Sequence, residues 1–252
     1  MPELKQCKNC NTLLADRFCP HCGQSAATGQ ITFGALWHDI VHFFTHIEKG
    51  FWYTSWHMLL SPGRIVKEYI DGKRIRYQRP VSFYLIWTGI YLILLSMIES
   101  TFGKETVLLR SDYFGDTQIT EVATKYMSVI AGILIPLFAL FLQWAGMRRF
   151  YNYAESMTAI VYGQGAVLLV QTLFALVTTF LFLLFDTGLH SNVSDVVKGV
   201  YIAWFCYTLS LQYPLKHKWL LPILFTLLSL GTFVLWRLYG FVYLWNWLVE
   251  KM

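Results

Sequence analysis

Residues 157–185 read MTAIVYGQGAVLLVQTLFALVTTFLFLLF, without one charged side chain. A bilayer's hydrocarbon layer needs about 20 apolar residues in a helix, so this run is long enough to cross it and to tilt or bend near Gly163 and Gly165. Four further apolar runs lie near 82–98, 127–147, 197–214 and 219–239. Together they predict an all-α membrane protein with about five transmembrane helices over residues 81–252. Composition agrees: 56% of the chain is hydrophobic and 14% charged, where a soluble domain carries about a quarter charged residues.

The polar residues collect ahead of the runs. Residues 1–82 hold ten of the 20 Lys and Arg and five of the seven His. The formal charge of +5 suits anionic headgroups of the lipid bilayer, and no aromatic–basic motif accompanies it, so nucleic acid is not an expected partner. Residues 1–30 are polar, without the apolar core of a signal peptide, which leaves insertion to the first membrane helix.

Cys7-x-x-Cys10 and Cys19-x-x-Cys22-Gly23 are eight residues apart. Two such knuckles facing each other supply four thiolates to a tetrahedral Zn²⁺, so residues 1–24 read as a structural zinc ribbon. The segment is too short to bury a core, and the metal must supply most of its stability. A closed four-thiolate site has no open position for water and is not catalytic. It serves as a docking module for a cytoplasmic protein partner or as a folded cap. Thiolates persist best in a reducing compartment, which places the N-terminus in the cytoplasm. Cys206, inside an apolar run, reads as a small buried residue. Residues 25–31 read as a linker.

Residues 32–80 read as interfacial amphipathic and basic helices. From Thr32 to Ile47, Phe33, Leu36, Trp37, Ile40, Val41, Phe44 and Ile47 share one face, and His38, His42 and His46 the opposite one. Histidines four apart stand above one another on a helix, and Glu48 is near. The stripe is either a wet polar face or a second metal or pH-sensing site. After Gly50 comes a short aromatic helix, about Trp52–Leu60. The next helix is punctuated by Ser61 at its N-cap, Pro62 in its first turn and Gly72 past its end. Lys73, Arg74, Arg76 and Arg79 then precede the first apolar run. They either fix topology or hold a lipid phosphate headgroup.

With the N-terminus inside, the cations at 73–79, 148–149 and 216–218 are all cytoplasmic, and the loops 99–126 and 186–196 are outside, as is the C-terminus. Lys198 is the dissenter. Asn152 and Glu155 have the spacing of a capping box opening the third span. No Asp, Glu, Lys or His stands at mid-span, which argues against a proton-coupled pump.

The segment Glu48-Lys49-Gly50, Thr54, Leu59-Leu60, Pro62-Gly63, Tyr69-Ile70-x-Gly72-Lys73-Arg74 and Tyr77-x-x-Pro80 resembles the bacterial domain-of-unknown-function 3667 family, whose members have a Cys-rich ribbon, this segment and several spanning helices. The Asn152–Glu155 segment is similar too. The resemblance implies a multi-pass protein of the bacterial inner membrane and carries over no catalytic residue. The resulting expectation is a membrane scaffold or regulatory protein rather than an enzyme. Two alternatives stand beside it. One is a homo-oligomeric channel, pore or transporter, including a membrane-perturbing accessory of a bacterial defence system. The other is a membrane-embedded enzyme using the His38, His42 and His46 face.

Overall fold

The computed structural model describes residues 6–34, 50–102, 132–185, 191–214, 223–228 and 231. Among these the regular structure is helical, and pairing between extended segments is limited to two isolated bridges, Gln6 with Leu13 and Phe18 with Ser25. Among the described residues, the helices that are complete after the ribbon are α1 Phe51–Leu60, α2 Pro62–Ile70, α3 Pro80–Phe102, α4 Ile135–Trp144, α5 Tyr153–Phe185 and α6 Ser191–Leu211. A 3-10 turn, Met147–Arg149, joins α4 to α5.

Local chemistry sets the short helices. Gly50 precedes α1, whose Phe51, Thr54, Ser55 and Met58 face inward. Trp52, Trp56 and Leu60, four residues apart, remain exposed on its outer side. Ser61 stands at the N-cap of α2 without a side-chain cap bond, and Pro62 opens the helix, where its missing N–H costs nothing. Gly72, at φ +110°, stops it in a conformation other residues rarely adopt. Its Ile65, Val66 and Tyr69 are buried and Arg64 faces out.

The α1–α2 hairpin is wedged against the ends of the long helices. The indole Nε1 of Trp87 on α3 donates to Ser55 at 3.2 Å, and the Tyr201 hydroxyl of α6 donates to the Met58 carbonyl at 2.8 Å. Gly63 of α2 meets the α6 backbone at Thr208 and Leu209, and its amide donates to the Thr208 hydroxyl at 3.1 Å. On α5, Gly165 admits the ring of Phe83 and the backbone of Tyr84 from α3, so this glycine serves helix packing. α5 is continuous through Gly163 and Gly165.

The buried core accordingly sits at one end of the bundle. There Thr54, Ser55, Gln78, Ser82, Glu155, Ser156 and Thr158 are buried among aromatic rings. The backbone at Gln78 is pinned twice, its amide donating to Thr54 at 2.9 Å and its carbonyl accepting the Tyr162 hydroxyl. At 33 residues α5 is about 50 Å long, against about 30 Å of hydrocarbon. Its first half is largely buried, whereas Leu173, Leu176, Val177, Phe180 and Leu183 in its second half are exposed apolar side chains.

Two described helices, Pro80–Phe102 and Tyr153–Phe185, are long and apolar enough to cross a membrane. The expected five are not all matched. The run at 127–147 is described only from residue 132, and its helix α4 has ten residues. The run at 197–214 begins earlier, at Ser191, because Asp195 and Lys198 pair at 3.0 Å one turn apart and both fit within the helix. The polar N-terminal stretch of α6, which includes this pair, is also why the helix is not among those apolar enough to cross a membrane, and Asp195 offsets the charge of Lys198. The run at 219–239 is helical at 223–228, and most of the rest lies outside the described residues.

Candidate metal centre and basic turn

The two knuckles are copies of one another. The Cys7 amide donates to Thr12 and its carbonyl accepts from Asn11; the Cys19 amide donates to Gln24 and its carbonyl accepts from Gly23. Asn11 (φ +61°) and Gly23 (φ +76°) occupy the same left-handed position, four residues after the first cysteine of each pair. Asparagine is the residue after glycine that tolerates this region best, which explains the unequal pair.

The loops bring the four thiols together. Cys7 and Cys22 are 3.6 Å apart, Cys10 and Cys19 3.5 Å, and Cys10 and Cys22 3.6 Å; all four sulfurs lie within 4.8 Å of one another. Thiolates at about 2.3 Å around a tetrahedral ion stand about 3.8 Å apart, so this donor set fits a metal of tetrahedral preference. A disulfide needs about 2.05 Å between sulfurs, and all four cysteines are free. Hydrogen bonding with the Thr12 side chain and backbone holds the Cys10 thiol below its ordinary value, which favours the thiolate a metal requires. Burial pushes Cys22 the other way. Cys7 and Cys19 are buried, yet Leu13 and Phe18 are 52% and 62% exposed, so among the described residues the ribbon builds no apolar core of its own.

The ribbon is seated on the turn between α2 and α3. Gln24, directly after the second knuckle, is 5% exposed. Its Nε2 donates to the Gly72 carbonyl at 2.8 Å, and its Oε1 accepts the amides of Arg74 at 3.1 Å and Ile75 at 3.3 Å. Arg74 Nη2 donates to the Gly29 carbonyl at 2.6 Å. Lys8, inside the first knuckle, donates to the Thr28 carbonyl at 2.8 Å and lays its stem against Gly72. Residues 25–31, read as a linker, therefore hold hydrogen bonds to Lys8 and Arg74, and the Ile31 carbonyl accepts from Asn152 at 3.2 Å.

The cations of the basic run have protein partners. Lys73 lies 3.4 Å from the Glu68 carboxylate. The Arg74 guanidinium stands over the Tyr69 ring at 5.7 Å and that of Arg76 over the Tyr53 ring at 4.7 Å. Tyr53 also stacks on His57 at 3.9 Å. Arg79 lies at the entry to α3, half-buried. Glu68 is the hub: Arg64 Nε donates to it at 3.0 Å and the Tyr77 hydroxyl donates to its other oxygen. Burial works to raise the Glu68 carboxyl, but the donors Tyr77 and Arg64 and the charge of Lys73 outweigh it and hold the group below its ordinary value. Burial and the neighbouring carboxylate raise Tyr77. The sequence reading named neither Gln24 nor Glu68. Glu68 could have been found as the i+4 partner of Arg64; Gln24 has no local signal.

Asn152 and Glu155 form a reciprocal cap on α5. The Glu155 amide donates to Asn152 Oδ1 at 2.8 Å, and the Asn152 amide donates to Glu155 Oε2 at 2.9 Å. The stripe of His38, His42 and His46, with Glu48, lies outside the described residues.

Among the described residues, these features define a helical protein with two helices long and apolar enough to cross a bilayer and a four-cysteine cluster that could hold a metal ion. Residues 48–92 match the family described as "Protein of unknown function (DUF3667)". The chain thus carries a DUF3667 segment, comprising α1, α2, the basic turn and the first half of α3. No curated protein and no solved structure matches the chain.

Proposed function

We propose that this is a multi-pass protein of the bacterial inner membrane that acts as a scaffold or regulator, with a zinc-loaded ribbon on its cytoplasmic side. The observation that carries this reading is the seat of the ribbon on the basic turn: Gln24 and Arg74 join the metal centre to the DUF3667 segment as one composite face. A closed four-thiolate site offers no coordination position for chemistry, which favours a binding role over an enzymatic one. Zinc is the ion this donor set suits best. The positive-inside distribution of the loops supports a cytoplasmic N-terminus. On that side the exposed Arg64 and Arg76 and the outer Trp52 and Trp56 of α1 would meet anionic headgroups.

The test is deletion of residues 1–30 in the membrane-expressed protein. The truncated chain is expected to insert normally and to lose the cytoplasmic proteins that crosslink to the full chain. If every partner and every cellular phenotype survived the deletion, the ribbon would have no docking role.

A further inference from the structure

We propose that metal loading of the four-cysteine ribbon clamps the basic turn at 72–75, with Gln24 as the positioning residue that transmits the state of the metal centre to the membrane segment. The proposal rests on the zinc reading above and adds a direction of control to it.

Gln24 belongs to both structures at once. Its carbonyl accepts the Cys19 amide at 2.8 Å, which closes the second knuckle. Its side-chain amide is buried and spans the turn, donating to Gly72 and accepting from Arg74 and Ile75. A primary amide used in this way replaces a neighbouring strand, satisfying backbone donors and an acceptor that would otherwise need water. The bond lengths depend on where the knuckle places the Gln24 backbone, and four sulfurs around one ion fix the knuckle.

The first knuckle contributes independently. The stem of Lys8 fills the space a side chain at residue 72 would need, with Lys8 Cδ 2.6 Å from where that Cβ would stand. Both knuckles therefore touch the same glycine, and both must hold their orientation for the turn to be covered. The Lys8–Thr28 hydrogen bond ties the first knuckle to the segment after the second, but among the described residues Leu13 and Phe18 are exposed, so no apolar core of the ribbon backs that bond once the ion is removed. Loss of the metal would release Gln24, then Arg74 from Gly29, and expose the basic turn.

The turn reports its own state, since Lys73, Arg74 and Arg76 are trypsin sites. Full-length protein in nanodiscs is purified with zinc, its metal content measured, and brief trypsin digestion followed by mass spectrometry at these bonds. A zinc-selective chelator is expected to raise cleavage after Lys73 and Arg74 by about tenfold or more, the scale of a local opening, and added zinc to restore protection. Gln24→Ala is expected to retain zinc at the wild-type level and still cleave at the chelated rate, with faster hydrogen exchange over 72–76. Cleavage after Arg64 is the internal control and should not change. Turn cleavage indifferent to zinc, or a zinc-loaded Gln24→Ala protein protected like wild type, would overturn the coupling while leaving the zinc reading intact. Protein that binds no zinc would overturn both.

Discussion

The Cβ that Gly63 lacks would stand 2.2 Å from the backbone nitrogen of Leu209. The α2 and α6 backbones touch at that point, and the Gly63 amide uses the proximity to donate to Thr208. No side-chain movement relieves a clash with backbone, so the helices must separate if a methyl group is added. Gly63→Ala is expected to cost about 1–3 kcal/mol, read as a lower thermal midpoint in detergent micelles. Gly89→Ala supplies the contrast: nothing lies within 4 Å of its Cβ position, and because alanine favours a helix interior over glycine that variant should melt at or above the wild-type midpoint. Equal melting of the two would mean the α2–α6 crossing is looser than the geometry requires.

Glu68 holds Arg64, Lys73 and Tyr77 together, and its carboxyl lies below its ordinary value. A carboxyl lowered by folding binds fewer protons in the native state than in the unfolded one. Its stabilisation is therefore fully present above the unfolded value of about 4.3 and is lost as pH falls through the lowered folded value. Wild-type stability is expected to drop over that acid range more steeply than that of Glu68→Gln. At neutral pH the variant should be less stable by about 2 kcal/mol, the scale of a hydrogen bond to a charged group. Denaturant titrations at several pH values check both. Parallel pH profiles for the two proteins would remove Glu68 from the account.

What could be read in the sequence was local. The helix Pro62–Ile70 is punctuated by Ser61, Pro62 and Gly72 within a dozen residues, and the structure keeps those limits. The Asn152–Glu155 cap has the same character. So do the cysteines, whose spacing dictates two knuckles. Long-range relationships were not legible. Gln24 and Gly72 are 48 residues apart, and a glutamine after a knuckle looks like any linker residue until the turn it reaches is in place. The same limit applied to Gly165, read as a source of bending although its role is to admit Phe83. Apolar length was read well for α3 and α5, but for α6 it concealed a polar N-terminal stretch that holds the Asp195–Lys198 pair.

The metal centre makes a prediction about stoichiometry. Cys19→Ser replaces a buried thiolate with a hydroxyl that ionises far less readily, leaving three ligands and a polar group in their midst. Elemental analysis of that variant should find little bound zinc, and the ribbon amides should exchange at the rate of an unfolded segment. Cys206→Ser, changed at a buried position on α6, should retain the metal content of wild type. Retention of zinc by Cys19→Ser would place the ion elsewhere.

Asn152 performs two tasks that substitution can separate. Its Oδ1 caps α5 by accepting the Glu155 amide, and its Nδ2 donates to the Ile31 carbonyl, tethering the segment that follows the ribbon. Alanine removes both, with an expected cost of about 1 kcal/mol from the lost cap. Aspartate keeps an acceptor at the cap, where the helix N-terminus favours negative charge, and cannot donate to Ile31. Asn152→Asp should therefore melt closer to wild type than Asn152→Ala does, while both variants speed hydrogen exchange over residues 29–34. Retained protection there in Asn152→Asp would show that the Gln24 and Arg74 contacts alone suffice to hold the ribbon's exit. The tether would then be a consequence of docking and not one of its causes.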